Sequence, residues 1–414
     1  MTRNSLPSDA DVDTNAIAHA RITVPLQARI RAEIAAQSGW LSFARFMELA
    51  LYAPGLGYYV NGARKFGAAG DFVTSPEISP LFGRTLARWA IPVMQASANE
   101  VLEFGAGTGA LAADLLNACA ALGTPITRYR ILDLSPELRF MQADTLKKRA
   151  PQWLSRVTWE ERLPISFSGV VLANEVLDAM PVQLVRWSPE GIFERGVSWN
   201  VTEQHFVYAD RPAQGELLDV AQRLNATHDL CAQAVAHGGQ YVSEVGLTGL
   251  AWTRSLGAWL HQGAALLIDY GFPAHEFYHA QRAQGTLMCH TRHRAHPDPF
   301  DRVGLTDLTA HVDFSAVSSA ALEAGLETIG FASQAQFLIN AGLIDALGEM
   351  NASVATDADR FALSAQVQHL TSPAEMGELF KVIAFAPRAA LEQNPALAEA
   401  LHAAFSRADR QARL

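Results

Sequence analysis

Apolar residues recur at three- to four-residue spacing from Pro25 to Tyr52, at Ile30, Ile34, Phe43, Phe46, Leu49 and Ala50, and this spacing predicts helix. A further helix is expected to open at Ser75-Pro76-Glu77, with serine as N-cap and proline in the first turn. Its apolar stripe is Leu81, Leu86, Trp89 and Val93. Short apolar runs then alternate with helical stretches. Val101 to Phe104 reads as strand, Ala110 to Ala121 as helix and Tyr129 to Leu132 as strand. Ser135-Pro136-Glu137 starts a helix running to about Arg149, and Val157 to Trp159 and Gly169 to Ala173 read as strands. This βαβ alternation implies a parallel, doubly wound α/β sheet. The alternation breaks after Pro181 into three antiparallel strands, Val182 to Trp187, Ile192 to Val197 and His205 to Tyr208, and a helical pattern follows to about Ala236. Ala265 to Asp269, Glu327 to Phe331 and Phe380 to Phe385 bring the main sheet to about seven strands.

Composition narrows the class. Of 414 residues 49% are hydrophobic and 18% charged, which supports a large core and argues against disorder. The net charge of −10 comes without a basic stripe, so nucleic acid is not an expected partner. The longest basic run, Lys147-Lys148-Arg149, falls at a helix end, where cations suit the dipole. Three distant cysteines, Cys119, Cys231 and Cys289, do not form a disulfide framework and fit a reducing compartment. The acidic N-terminus does not resemble a mitochondrial transit peptide, and no apolar run approaches a membrane span. The expectation is a cytoplasmic protein.

The first candidate chemistry lies where a strand ending in Glu103-Phe104 meets Gly105-Ala106-Gly107-Thr108-Gly109 and then a helix. Glycines allow the tight turn and let backbone approach a ligand, and the helix start adds positive potential. Asp133, at the end of the next strand, can accept hydrogen bonds from ribose hydroxyls, with Leu134 and Ser135 beside it. A dinucleotide stays open as an alternative, and with it an NAD-dependent oxidoreductase. However, Asp133 lies farther from Gly105 than the ~20 residues of that fingerprint. Glu103 also sits badly with a pyrophosphate but suits a cationic sulfonium and amine.

A second group, Asn174, Glu175 and Asp178, follows a buried strand at the edge where open α/β sheets bind ligands. Glu175 and Asp178 are spaced to share a face if the segment turns helically, and paired carboxylates can hold a guanidinium. A helix N-terminus would also explain these acids.

With these residues in view, the chain resembles the MidA family of S-adenosylmethionine-dependent methyltransferases. The resemblance rests on Gly70 to Gly83, Glu103 to Gly109, Leu134 to Arg139, Ala173 to Pro181, Leu267 to Gly271 and Asp307 to Phe314. It implies a class I methyltransferase (Rossmann-like) sheet with added segments and S-adenosyl-L-methionine as cofactor; methyl transfer does not need a metal, and none is expected. The mitochondrial members of the family methylate a protein arginine in respiratory complex I assembly. Arginine in a protein, in one reading a respiratory complex subunit, is therefore the expected acceptor; the oligomeric state is left open by the sequence, a homodimer being one reading. Asp133 stands where the family's pattern leads one to expect glutamate, and either carboxylate can hold a ribose. The expected cofactor residues are Glu103, Gly105, Ala106, Gly107, Thr108, Gly109, Asp133, Leu134, Ser135, Asn174, Glu175, Thr74 and Ser75. Glu175 and Asp178 are the expected catalytic acids, with Glu77 and Asp269 behind them and Tyr270 as a wall. A non-catalytic assembly factor that binds the same cofactor is a further alternative.

Residues 1–20 read as a tail and 21–95 as a helical cap. Residues 96–181 and 260–388 read as the cofactor domain, 182–259 as an insertion and 389–414 as a C-terminal helix. Cys289, His290, His293 and His296 do not have the spacing of a structural zinc site, so residues 285–313 are expected to form a flap near the acceptor. His311 and Asp313 read equally well as a functional pair or as a helix cap.

Overall fold

The computed structural model describes residues 17–61, 74–291, 294–406 and 409–414. Most of the expected tail, Gly70-Asp71 and His293 lie outside the described residues.

The main sheet contains β1 (Glu100–Phe104), β2 (Arg128–Leu132), β3 (Val157–Glu160), β4 (Phe167–Asn174), β5 (Leu260–Phe272), β6 (Leu326–Ser333) and β7 (Phe380–Pro387). Their order is β3-β2-β1-β4-β5-β7-β6. β1 to β5 pair in parallel, and β7 runs antiparallel to both β5 and β6. This is the doubly wound sheet that the alternation implied. The chain leaves β1 toward β2 and β3, then returns to lay β4 on the other side of β1. That reversal opens a crevice at the carboxyl ends of β1 and β4, where such sheets bind ligands. Phe104 is in register with Ala173, and Asn174 with Ile268, so the ends of β1, β4 and β5 are neighbours.

Helix α1 (Pro80–Ala96) and helix α2 (Ala110–Ala121) pack together beside the sheet, and α2 is buried on most of its surface. Helix α3 (Pro136–Arg149) ends with Arg149 paired to Asp114 and Lys148 to Asp144. The expected helix from Ser75 is instead two pieces. Ser75–Ile78 forms one turn, the chain extends at Ser79, and the Ser79 hydroxyl accepts the Leu81 N–H to start α1 afresh. The expected helix from Pro25 to Tyr52 also breaks. Val24–Ala36 and Phe43–Tyr52 are separate because Ser38 and Gly39 both take left-handed backbone.

The chain divides into two compact units. The sheet unit comprises Phe66–Asp178, Thr248–Phe277 and His311–Leu414, and the other Met1–Lys65, Ala179–Leu247 and Tyr278–Ala310. In the second unit, the strands expected after Pro181 form as Gln183–Ser188, Gly191–Asn200 and His205–Pro212, paired antiparallel. Two strands not anticipated complete that sheet: Tyr241–Val245 pairs with Gln183–Ser188, and Leu41–Ser42 with Val197 and Gly196. Residues expected as a flap form three antiparallel strands, Met288–Thr291, Arg294–His296 and Asp307–Thr309. Cys289 is fully buried there, opposite His296.

Two glycines let β4 and β5 pair closely. A Cβ on Gly263 would stand 1.9 Å from the Gly169 carbonyl oxygen, and Gly263 has a φ of +100°. Backbone cannot yield there as a side chain would. Gly263→Ala is expected to cost about 3 kcal/mol, measured as the urea midpoint of unfolding.

Candidate functional site

The glycine loop follows β1 directly. Gly105, Gly107 and Gly109 have φ of 59°, 51° and 83°, a left-handed series that a side chain would strain. Gly105 N–H donates to the Leu132 carbonyl at 3.1 Å, tying the loop to the end of β2, and Gly109 is the N-cap of α2. Ala106 is buried under the loop. The Thr108 hydroxyl donates to the Glu77 carboxylate, so the turn Ser75–Ile78 reaches the loop through Glu77. Thr74 precedes that turn in extended backbone. Ser75 anchors the turn from below: it is fully buried, and its hydroxyl donates to Gln334 Oε1 at 3.2 Å. Its hydroxyl is therefore engaged with the interior, and the N-cap that sequence assigned to Ser75 is instead Thr74.

Asp133 ends β2 and is buried. Its Oδ1 accepts the Ser135 N–H at 2.9 Å, and its Oδ2 accepts Gln142 Nε2 at 2.8 Å. Burial pushes its pKa up, while these donors and the nearby Arg139 oppose the shift. Ser135 caps α3, and Leu134 beside it stands 68% exposed, an apolar side chain left open at a ligand edge. Gln142 was not foreseen. Its signal was local: it replaces an apolar residue in the stripe Leu138, Gln142, Leu146 that α3 buries.

Glu103 lies inside the same wall. Its Oε2 accepts the Tyr129 hydroxyl at 2.7 Å. Burial lifts its pKa to about 7, with Tyr129 opposing and Asp133 adding to the rise. A carboxyl whose folded pKa exceeds its ordinary 4.5 keeps its proton in the fold after the unfolded chain has lost it. Stability from this residue is thus full below about pH 4.5 and is lost as pH rises to about 7. Glu103→Gln is expected to raise stability at pH 8 by about 2 kcal/mol and to leave it unchanged at pH 4, read from denaturant midpoints at the two values.

The acidic edge follows β4. Asn174 ends the strand and donates from Nδ2 to Glu175 Oε1 at 3.0 Å. Glu175 has a φ of 55°, left-handed backbone that a glutamate adopts only when its surroundings hold it there. Its N–H donates to the Ile268 carbonyl at 2.8 Å. Asp269, at the matching point of β5, holds the turn that follows. One oxygen accepts the N–H groups of Val176, Leu177 and Asp178 at 3.2, 2.9 and 3.2 Å, and the other accepts Tyr270 N–H at 2.9 Å. Sequence set Asp269 behind Glu175 and Asp178; at 1% exposure and with four amides on it, Asp269 holds the turn that carries both. Burial, Asp178 and Glu175 push its pKa well up, and the amides oppose them. The Tyr270 hydroxyl donates to Asp178 Oδ2, fixing that side chain. The site thus brings Glu175, Asp178, Asp269 and Tyr270 together, and Glu77 comes to the loop through Thr108.

His311 stacks on Phe272 at 5.3 Å and meets Tyr270 edge-on at 5.1 Å, while Asp313 caps the helix Phe314–Glu323 through the Ser315 and Ala316 N–H groups.

Residues 85–332 match a family described as S-adenosyl-L-methionine-dependent methyltransferases. The chain is 30% identical over 387 residues to the Danio rerio mitochondrial protein arginine methyltransferase NDUFAF7, covering 86% of each. To the Homo sapiens protein of that name it is 28% identical over 385 residues, covering 86% of this chain and 82% of that one. Among solved structures, a Burkholderia thailandensis protein bound to S-adenosyl-homocysteine is 48% identical, with a TM-score of 0.87 and coverage of 99% of this chain and 100% of that one.

Proposed function

The chain belongs to the family of S-adenosyl-L-methionine-dependent methyltransferases, and from that premise we propose that it methylates a guanidinium nitrogen of an arginine in a protein. The cofactor is S-adenosyl-L-methionine. The residues present fit it, and the family match sets the dinucleotide alternative aside. Three left-handed glycines leave the loop backbone open to close approach. Asp133, which accepts from Ser135, Leu134 and Gln142, retains acceptor capacity for a ribose hydroxyl. Leu134 offers an apolar face, and Asn174 Oδ1 is a buried acceptor with no hydrogen-bond partner among the described residues.

The observation that carries the acceptor reading is the convergence of carboxylates at adjoining strand ends. Glu175 is held in left-handed backbone, Asp178 is held by Tyr270, and Asp269 fixes the turn between them. When bound, the cofactor supplies an electrophilic methyl on a cationic sulfur. The chain's own task is to place one nitrogen in line with it. An arginine is charged at neutral pH, so Glu175 and Asp178 align the guanidinium and draw its charge away from the attacking nitrogen. That nitrogen forms the new C–N bond as the C–S bond breaks, and its proton leaves to a carboxylate or to water. The names of the relatives support the same acceptor class.

We also propose a respiratory complex subunit as the acceptor protein, a homodimeric assembly and a cytoplasmic location. The discriminating experiment adds purified enzyme and methyl-labelled cofactor to a lysate lacking this protein, followed by mass spectrometry of the labelled band. The expected result is a label on an arginine side chain. Label on lysine or a carboxylate overturns the acceptor, and no labelled band favours a non-catalytic role. Light scattering and cell fractionation read the assembly and the location.

A further inference from the structure

Gln142 sits in α3 with no exposure, yet every polar group it carries is engaged at the cofactor wall. Its Oε1 accepts the Trp159 indole N–H at 2.8 Å. Its Nε2 donates to Asp133 Oδ2 at 2.8 Å and to the Gly107 carbonyl at 3.2 Å. The amide orientation is dictated by these partners. An indole N–H only donates, so it must face the amide oxygen, and the carboxylate and carbonyl then face the nitrogen. Backbone packing adds a second restraint, because a Cβ on Gly109 would come within 3.0 Å of Gln142 Cα. One side chain thus links β3, the end of β2 and the middle of the glycine loop.

We propose that Gln142 is a positioning residue for the cofactor's ribose, fixing the Asp133 carboxylate and the glycine loop in one register. This rests on the reading that Asp133 holds the ribose. Ser135 takes one lone pair of Oδ1 and Gln142 one of Oδ2, so the carboxylate cannot rotate and its remaining lone pairs keep a set direction. Gln142 also donates to the ionised form of a buried acid. The other charged groups around Asp133 are Glu103 on β1, which disfavours its ionisation, and Arg139 on α3, which favours it and is itself paired with Glu161.

The test is calorimetric binding of S-adenosylhomocysteine at pH 6, 7.5 and 8.5, each variant compared with wild type at the same pH to cancel the titration of Glu103. Gln142→Leu removes the donor. It is expected to weaken binding about tenfold at pH 7.5, and more at pH 6 as Asp133 takes up a proton. Gln142→Glu supplies a donor only while protonated. It is expected to bind nearly as wild type at pH 6 and to weaken progressively toward pH 8.5, the opposite slope. A purely structural role would move thermal stability without reversing the pH slope. Slopes of the same sign, or both variants within twofold of wild type, overturn the proposal; if Gln142→Leu does not fold, the slope of Gln142→Glu decides alone. Asp133→Ala separates the two readings. Unchanged affinity in that variant overturns the ribose assignment itself. Weakened affinity with an undiminished further effect of Gln142→Leu overturns the role of Gln142 only.

Discussion

Asp178→Asn and Glu175→Gln are each expected to lower methyl transfer at saturating cofactor and acceptor by at least about hundredfold. Each replacement keeps size and an acceptor oxygen, so Tyr270 can still donate to position 178 and Asn174 to position 175. What each removes is the negative charge that the proposed reading sets against a guanidinium. A charge-assisted bidentate contact then becomes a neutral one of about half the strength, and the acceptor nitrogen is no longer held in line. Asp178→Asn separates acceptor from cofactor: S-adenosylhomocysteine affinity by calorimetry is expected to stay within about threefold of wild type while the rate falls. Tyr270→Phe leaves the charge but frees Asp178 to rotate, so it is expected to fall between the two. A rate that survives Asp178→Asn would move the acceptor elsewhere.

Asp269→Ala is expected to be the most damaging substitution for the fold and the site together. Four backbone amides converge on this one carboxylate, and alanine leaves them without their acceptor inside the protein. The loss expected is about 4 kcal/mol in a denaturant titration, with methyl transfer below detection, because the turn that presents Glu175 and Asp178 is no longer defined. Asp269→Asn keeps one carbonyl oxygen in place and is expected to recover part of the stability. The pH dependence has a stated sign. Burial and two flanking acids raise the Asp269 pKa above its unfolded value, so the stabilisation it lends is greatest in acid and declines as pH rises through the folded value. Asp269→Asn removes that decline.

The two substitutions address different parts of one site, and sequence treated those parts unequally. The position of Glu175 and Asp178 was legible because they sit a few residues beyond a buried apolar run, and the ends of such runs are where an α/β sheet presents ligand groups. Asp269 was legible by the same rule, but only as one more acid at a strand end. Its role depends on amides 91 to 93 positions away, and no local pattern encodes a partner at that distance. Gln142 is similar. The helix period placed it on the buried face of α3, but only the meeting of β2, β3 and the glycine loop shows what a buried amide does there.

Hydrophobic periodicity by itself determined the alternation of strands and helices from β1 to β4, the later strands β5 to β7, and with them the doubly wound sheet. Period and turn chemistry are local, and each apolar run had few other ways to be buried. The glycine spacing between β1 and α2 likewise determined where a cofactor approaches, since left-handed backbone at three nearby positions demands glycine. Tertiary structure alone decided the break at Ser79, the added strands Tyr241–Val245 and Leu41–Ser42, and which of the strand-end acids is held by backbone amides. Each of these depends on a hydrogen-bond partner remote in the chain, Gln366 in the case of the Ser79 hydroxyl, and a carboxylate's role is set by which donors surround it rather than by the residues beside it in sequence.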